Sequence, residues 1–145
     1  MQVLDLEKQL MEWKLDPESF ATRFGFRLTR SGNVARVNTA PQKVVFYGRE
    51  FVGSFIFDED ELKHVVLIPV LKDVDIPNYP SEEYQQIKMF YCESFLKGIF
   101  GEEATLLSDG MQWTTDRCVI GCYAINEGKD KYTGGNITID MRQTI

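Results

Sequence analysis

The sequence has few of the residues from which catalytic and metal centres are built. Among 145 residues there is one histidine, His64, and there are three cysteines, Cys92, Cys118 and Cys122. A thiol enzyme needs a cysteine with a histidine and an orienting group, and structural zinc needs about four ligands. An odd number of cysteines cannot all close into disulfides, so buried, reduced thiols are expected. We therefore predict no catalytic residues, no metal and no cofactor.

Nucleotide-binding signatures are also absent. Gly48 and Gly53 have the glycine spacing of a phosphate-binding loop, but the Lys and Ser/Thr that should follow are missing. The acidic stretches 58–61 and 73–75 lack the glycine and glutamate of a calcium-binding loop, and acidic turns of this kind are usually solvated. The sequence therefore favours a protein that is not an enzyme.

No stretch approaches the roughly 18 consecutive apolar residues of a membrane span. The first residues, with Asp5, Glu7 and Lys8 close to Met1, do not form a secretory signal. Apolar residues make up 43% of the chain and charged residues 26%, which is ordinary for a globular protein. We expect a soluble, cytoplasmic, acidic protein without a membrane partner, folded as one domain over residues 1–145.

Acidic residues are missing from one long window. From Ser19 to Arg49 the chain has six basic residues and no Asp or Glu, although its net charge is −6. All 22 acidic residues therefore lie outside the window, together with 10 of the 16 basic residues. If the fold gathers the six cations on one side, the surface is divided by charge, and that division selects partners. The cations are Arg23, Arg27, Arg30, Arg36, Lys43 and Arg49.

Helical signals lie at the start and in the middle of the chain. Apolar residues from Val3 to Trp13 recur at spacings of three and four, which predicts a first short helix. Asp16-Pro17-Glu18 predicts the start of a second short helix that Gly25 ends. A long helix is predicted from Ser81 to about Phe100. In that helix Lys88 falls inside the apolar stripe and Phe90 on the polar side.

Elsewhere apolar residues alternate with polar ones, as in strands separated by hairpin turns. The eight runs are residues 26–30, 34–38, 43–47, 51–57, 62–71, 111–115, 117–125 and 136–142. We predict an α+β fold, with one curved antiparallel sheet of about seven or eight strands and the long helix, at about residues 81–100, packed on it. The two short N-terminal helices should pack at an edge or a face of this sheet.

Three functional hypotheses remain open. The first is a protein-interaction module, such as an adaptor, inhibitor or immunity-type protein, whose partner is another protein. In the hairpin of residues 26–38, Arg27 and Arg36 can share the exposed face, although these cations could instead pair with the acids of residues 58–61. The binding residues predicted on this hypothesis are Arg27, Arg30, Arg36, Arg49 and Phe90. Phe90 is expected to make an apolar contact with another chain or with the N-terminal helices, and the sequence does not decide whether it is buried.

The second hypothesis is a small-ligand-binding protein or slow enzyme with an aromatic pocket between the long helix and the sheet. A packed aromatic core would give the same pattern. The third hypothesis is contact with an anion or nucleic acid through residues 23–49, although a net negative protein is repelled by a polyanion. The residues predicted to line the pocket are Tyr84, Tyr91, Trp113 and Tyr123.

Overall fold

The computed structural model describes residues 4–5, 16–71, 82–115, 117–123 and 135–142. The chain divides into two compact units, Met1–Val70 and Leu71–Ile145. In each unit a helix packs against antiparallel strands. The predicted α+β class and the antiparallel pairing of the strands are therefore confirmed in outline.

The helix of the first unit is α1 (Pro17–Phe24), and local sequence signals set both of its ends. Oδ2 of Asp16 accepts a hydrogen bond from the backbone N–H of Ser19 at 3.0 Å, which satisfies one of the donors that a helix start leaves open. Pro17 occupies the first turn, and Gly25 ends the helix with a left-handed backbone at φ 72°. The predicted second helix is confirmed with its cap and its stop.

Six strands occur among the described residues of the first unit. They are β1 (Leu4–Asp5), β2 (Arg27–Ser31), β3 (Val34–Asn38), β4 (Val44–Phe46), β5 (Arg49–Asp58) and β6 (Glu61–Pro69). Strand β5 pairs antiparallel with β6 on one side, and with β3 and then β4 on the other. Strand β2 pairs antiparallel with β3, and β1 pairs parallel with β4.

Thr39 joins β3 to the loop that precedes β4. Its backbone N–H donates to the carbonyl of Gly53 at 3.0 Å, and its hydroxyl accepts from the N–H of Gly53 at 2.8 Å. The hydroxyl of Thr39 thus accepts a hydrogen bond that a backbone carbonyl accepts elsewhere in the sheet. The N–H and the carbonyl of Gly53 therefore both stay hydrogen-bonded where β3 ends.

Phenylalanines form the core of the first unit. Phe20 of α1 contacts Phe55 of β5 with ring centroids 4.8 Å apart, and Phe57 lies 6.5 Å away. Phe24 and Phe26 complete the cluster in edge-to-face and stacked contacts with Phe20 and with each other. Phe51 is fully buried on the same face of β5 as Phe55 and Phe57, and α1 covers this face through Phe20.

The second unit contains one described helix and four strands. The helix is α2 (Glu82–Phe100), and the strands are β7 (Thr105–Leu107), β8 (Gly110–Thr114), β9 (Cys118–Tyr123) and β10 (Ile137–Met141). The strands pair antiparallel in the order β7-β8-β9-β10, and α2 packs on β9. Gly101, at φ 89°, ends α2, and its N–H donates to the carbonyl of Lys97 at 2.9 Å.

The structure corrects two details of the predicted fold. All eight predicted strands occur, but β1 and β7 bring the described residues to ten strands. Leu4 and Asp5, inside the stretch predicted as the first helix, instead extend beside Val44 and Val45. The remainder of that stretch, like the predicted cap Ser81, lies outside the described residues. The described part of the chain therefore has two helices, one short and one long.

Candidate functional site

Two rows of mainly polar residues cross one face of the first-unit sheet. In one row Thr29 lies opposite Arg36, Arg36 opposite Ile56, and Ile56 opposite His64. The residues between them along the strands point to the other face, where Val37, Phe55 and Val65 are fully buried. We call the face with the polar rows the outer face. Its second row consists of Arg27, Asn38, Ser54 and Val66.

Arg27 and Arg36 are neighbours on the outer face. Arg36 lies opposite Thr29, and Arg27 is two residues before Thr29 on the same strand, so the two arginines are diagonal neighbours. Such positions are about 7–8 Å apart. Both side chains are exposed, and within the described residues neither forms an ion pair. The guanidinium groups of this pair are therefore available to a ligand or a partner.

Arg30 lies on the opposite face of the same hairpin and is already engaged. It pairs with the buried Ala35 across the strands. Its guanidinium contacts Oε1 of Glu18 at 3.0 Å and Oδ1 of Asp60 at 3.2 Å. The hydrogen bond with Asp60 raises the pKa of Arg30. The pairing of a cation with the acids of residues 58–61 therefore occurs at Arg30, which does not join Arg27 and Arg36.

The other cations of the window are also separated from this pair. Arg49 begins β5, seven residues before Ile56, which corresponds to about 23 Å along the strand and to the opposite face. Arg23 lies over the ring of Phe24, 5.2 Å from its centroid, and Lys43 has an interaction of its own. Of the six cations, the register brings Arg27 and Arg36 together.

Exposed apolar residues occur in both units. On the first unit, Val34 of β3 is 41% exposed and Ile68 of β6 is 38% exposed, and both lie on the outer face. On the second unit, Phe90 of α2, on the polar side of the helix, is 73% exposed. Leu106 of β7, which the sequence analysis did not single out, is exposed to the same degree at 75%.

The four aromatic residues predicted to line a pocket are not brought to one place. Trp113 is buried on the α2 side, where its indole N–H donates to the carbonyl of Gly101 at 3.0 Å. Tyr123 lies on the other face of the strands, and its hydroxyl donates to Oε1 of Gln112 at 2.9 Å. Burial, followed by the charge of Asp140, raises the pKa of Tyr123. Tyr91 is half-buried, and the side chain of Tyr84 lies outside the described part.

The second unit buries a group that sequence reasoning did not assemble. Lys88 is 3% exposed, and Cys92, four residues later on α2, is fully buried. Cys122 of β9 is also fully buried and is hydrogen-bonded to Cys92. Burial lowers the pKa of Lys88. The position of Lys88 within an apolar stripe was the one signal in the sequence. The approach of Cys122 could not be predicted, because it depends on the packing of a distant strand.

Two other types of site are absent from the described ranges. No three His, Cys, Asp or Glu side chains gather there as a metal would require. Neither α1 nor α2 has the length and hydropathy of a membrane-spanning helix. The chain matches no protein-family model, no curated protein and no solved structure.

Proposed function

We propose that this protein is a non-catalytic interaction module whose outer face binds an acidic surface of another protein. The observation that supports the proposal is the difference between neighbouring arginines of one hairpin. Arg30 holds two carboxylates of its own chain, whereas Arg27 and Arg36 share a face with no ion pair among the described residues. Guanidinium groups bind carboxylates in bidentate fashion, which gives such contacts geometric specificity.

The apolar residues of the same face add to this argument. Val34 and Ile68 are exposed there on opposite sides of the two rows, where they pair with Asp58 and Val52 of β5. Interfaces commonly combine exposed apolar residues with arginines that form directional contacts. Asp58 lies opposite Val34 at the end of the face, so the cationic part is limited to the β2–β3 hairpin. We therefore expect a partner that combines acidic and apolar residues.

The test is recovery of partners from the native host with two matched variants. Arg27→Glu/Arg36→Glu reverses both charges of the pair, and Arg117→Glu/Arg142→Glu makes the same net charge change at exposed positions of the second unit. We expect the first variant to lose a partner that the second retains, with unchanged circular dichroism spectra for both. The proposal fails if the first variant retains every partner that the unmodified protein binds.

An anion or a nucleic acid is the alternative occupant of the same arginines. Binding to a polyanion weakens steeply with salt, because condensed counterions are released when the cations bind. Affinity for an oligonucleotide that falls steeply between about 50 and 200 mM salt and is lost in Arg27→Glu/Arg36→Glu would favour this alternative. Protein binding with a shallow salt dependence would favour the interaction module.

Three broader expectations belong to this proposal. The first is an apolar contact at Phe90, which a Phe90→Ser variant with weakened partner binding would support. The second is a cytoplasmic location, which fractionation of native cells checks. The third is a single domain with one curved sheet over residues 1–145, for which we expect fluorescence and circular dichroism to report one coincident unfolding transition in urea.

A further inference from the structure

Two thiols from distant parts of the chain meet inside the second unit. Cys92 on α2 and Cys122 on β9 are both fully buried, and their side chains are hydrogen-bonded. The thiol of Cys122 also points to the carbonyl of Met89, at 3.9 Å, in the turn of α2 before Cys92. The helix and the strand are thus in contact at a pair of sulfur atoms.

A cation belongs to the same buried group. Lys88 is one helical turn before Cys92, on the same side of α2, and is 3% exposed. The hydrogen bond with Cys122, followed by burial, raises the pKa of Cys92, and the charge of Lys88 lowers it. The net effect is a raised pKa, so the thiol of Cys92 is protonated inside the closed unit, and the reactive thiolate forms when local opening returns the thiol to water. The closed unit therefore supplies two neighbouring sulfurs, and its opening supplies the thiolate.

We propose that Cys92 and Cys122 are a reversible oxidation site, which a hydroperoxide converts to an intramolecular disulfide between α2 and β9. The thiolate of Cys92 attacks the peroxide oxygen, breaks the O–O bond and becomes a sulfenic acid, and the leaving oxygen takes a proton to become an alcohol or water. The thiol of Cys122 then displaces the sulfenic hydroxyl as a second water, forming the S–S bond. Two thiols and one hydroperoxide give one disulfide, one alcohol or water, and one further water.

Burial sets the rate of this reaction. Because neither sulfur is exposed, the peroxide reaches the pair only when the unit opens locally. Disulfide formation should therefore take minutes to hours, and mild urea should accelerate it. Once formed, the disulfide closes the loop between residues 92 and 122, which restricts the unfolded chain and stabilises the folded one.

Cys118 is a matched control within the same strand. It is also buried, but its sulfur lies 3.3 Å from the hydroxyl of Thr115. Burial raises the pKa of Cys118, and the hydrogen bond from Thr115 lowers it. Cys118 and Cys122 are therefore two buried thiols of one strand, of which Cys122 has a sulfur neighbour on α2. If thiol contact decides the reaction, Cys118 is left out of the disulfide.

The experiment treats the reduced full-length protein with hydrogen peroxide, removes the peroxide, unfolds the protein in denaturant with an alkylating reagent to block the remaining thiols, and maps the peptides without reduction. We expect one peptide that links Cys92 to Cys122, with a mass about 2 Da below the sum of its parts, and an alkylated Cys118. The thermal unfolding midpoint should rise by roughly 5–10 °C and return to its starting value with dithiothreitol.

Two variants complete the design. Cys118→Ser should retain the linked peptide and the shift of the midpoint, whereas Cys122→Ala should lose both. If Cys122→Ala does not fold, the peptide map of the unmodified protein still decides. Thiols of Cys92 and Cys122 that stay alkylatable after peroxide, even in mild urea, overturn the proposal. A disulfide that involves Cys118, or one that joins two chains, also overturns it.

Discussion

The two units differ in how they place particular cations. The first unit has a core of phenylalanines, and its arginines lie at the surface, where Arg30 forms exposed ion pairs and Arg27 and Arg36 form none among the described residues. The second unit buries Lys88 beside the thiols of Cys92 and Cys122. The cationic residues of one unit face outward, and a cationic residue of the other faces inward.

This difference indicates where each unit can act. A surface guanidinium keeps its hydration until a partner arrives, so it contributes to recognition at little cost to folding. A buried ammonium has lost its water, which lowers its pKa and destabilises the fold. We therefore propose binding for the surface of the first unit and thiol oxidation for the buried group of the second. Four predictions test this contrast, beginning with the largest expected effect.

Phe55→Ala should break the core of the first unit. Phe55 is fully buried and lies 4.8 Å from Phe20 of α1, so its removal leaves a cavity between the helix and the sheet. We expect a loss of about 3–5 kcal/mol in the free energy of unfolding, measured by urea denaturation. Phe90→Ala, at the exposed position of α2, should change it by less than about 0.5 kcal/mol. Equal effects of the two changes would contradict the assigned core.

Gly121→Ala should strain the second unit at one residue. A Cβ at this position would lie 2.7 Å from Cε2 of Tyr123, and closer still to the hydroxyl, because the tyrosine ring folds over Gly121. We expect a loss of about 1–3 kcal/mol by urea denaturation, partly recovered in Gly121→Ala/Tyr123→Ala. Gly98→Ala is the control, for which we expect the free energy of unfolding to rise instead of fall. Nothing lies within 4 Å of its added Cβ, and alanine in a helix should add about 0.5–1 kcal/mol.

Lys88→Met should change how stability depends on pH. Burial lowers the folded pKa of Lys88 below its ordinary value of 10.5. Its destabilising effect is therefore fully present below the folded pKa, and it disappears as pH rises from there to about 10.5. We expect the unmodified protein to gain stability relative to Lys88→Met between pH 7 and pH 10, measured by urea midpoints. The exposed Lys97→Met is the control. If the difference in stability between the unmodified protein and Lys88→Met does not change with pH, Lys88 is not a destabilising buried cation, and the contrast between the two units fails.

Local signals in the sequence were enough to predict several elements. Asp16, Pro17 and Gly25 fixed the ends of α1 because a cap, a first-turn proline and a left-handed glycine act within a few residues. Alternation predicted eight strands, since period two follows from the geometry of each strand alone. Helical periodicity put Phe90 on the polar side and Lys88 inside the apolar stripe without deciding their burial, and the structure exposes the first and buries the second.

Contacts between distant residues explain what the sequence did not predict. Leu4 and Asp5 extend because they pair with β4, about 40 residues later, although their apolar spacing is typical of a helix. Strand β7 is exposed throughout and lacks the alternation that marks a half-buried strand. The contact of Cys92 with Cys122 depends on register and packing, which single-residue patterns do not contain.

The smallest expected effect concerns the cap of α1. The hydrogen bonds from Ser19 lower the pKa of Asp16 below its ordinary value of 3.8. The stabilisation from its charge is therefore present above about pH 3.8 and is lost as pH falls through the folded pKa. Asp16→Asn retains an acceptor for the helix N-terminus but has no charge. Its deficit against the unmodified protein, measured by urea midpoints, should shrink from pH 6 to pH 3. The exposed Glu102→Gln, outside the helices, is the control. If both differences shrink equally, general charge repulsion in acid explains the effect, and the cap of α1 does not.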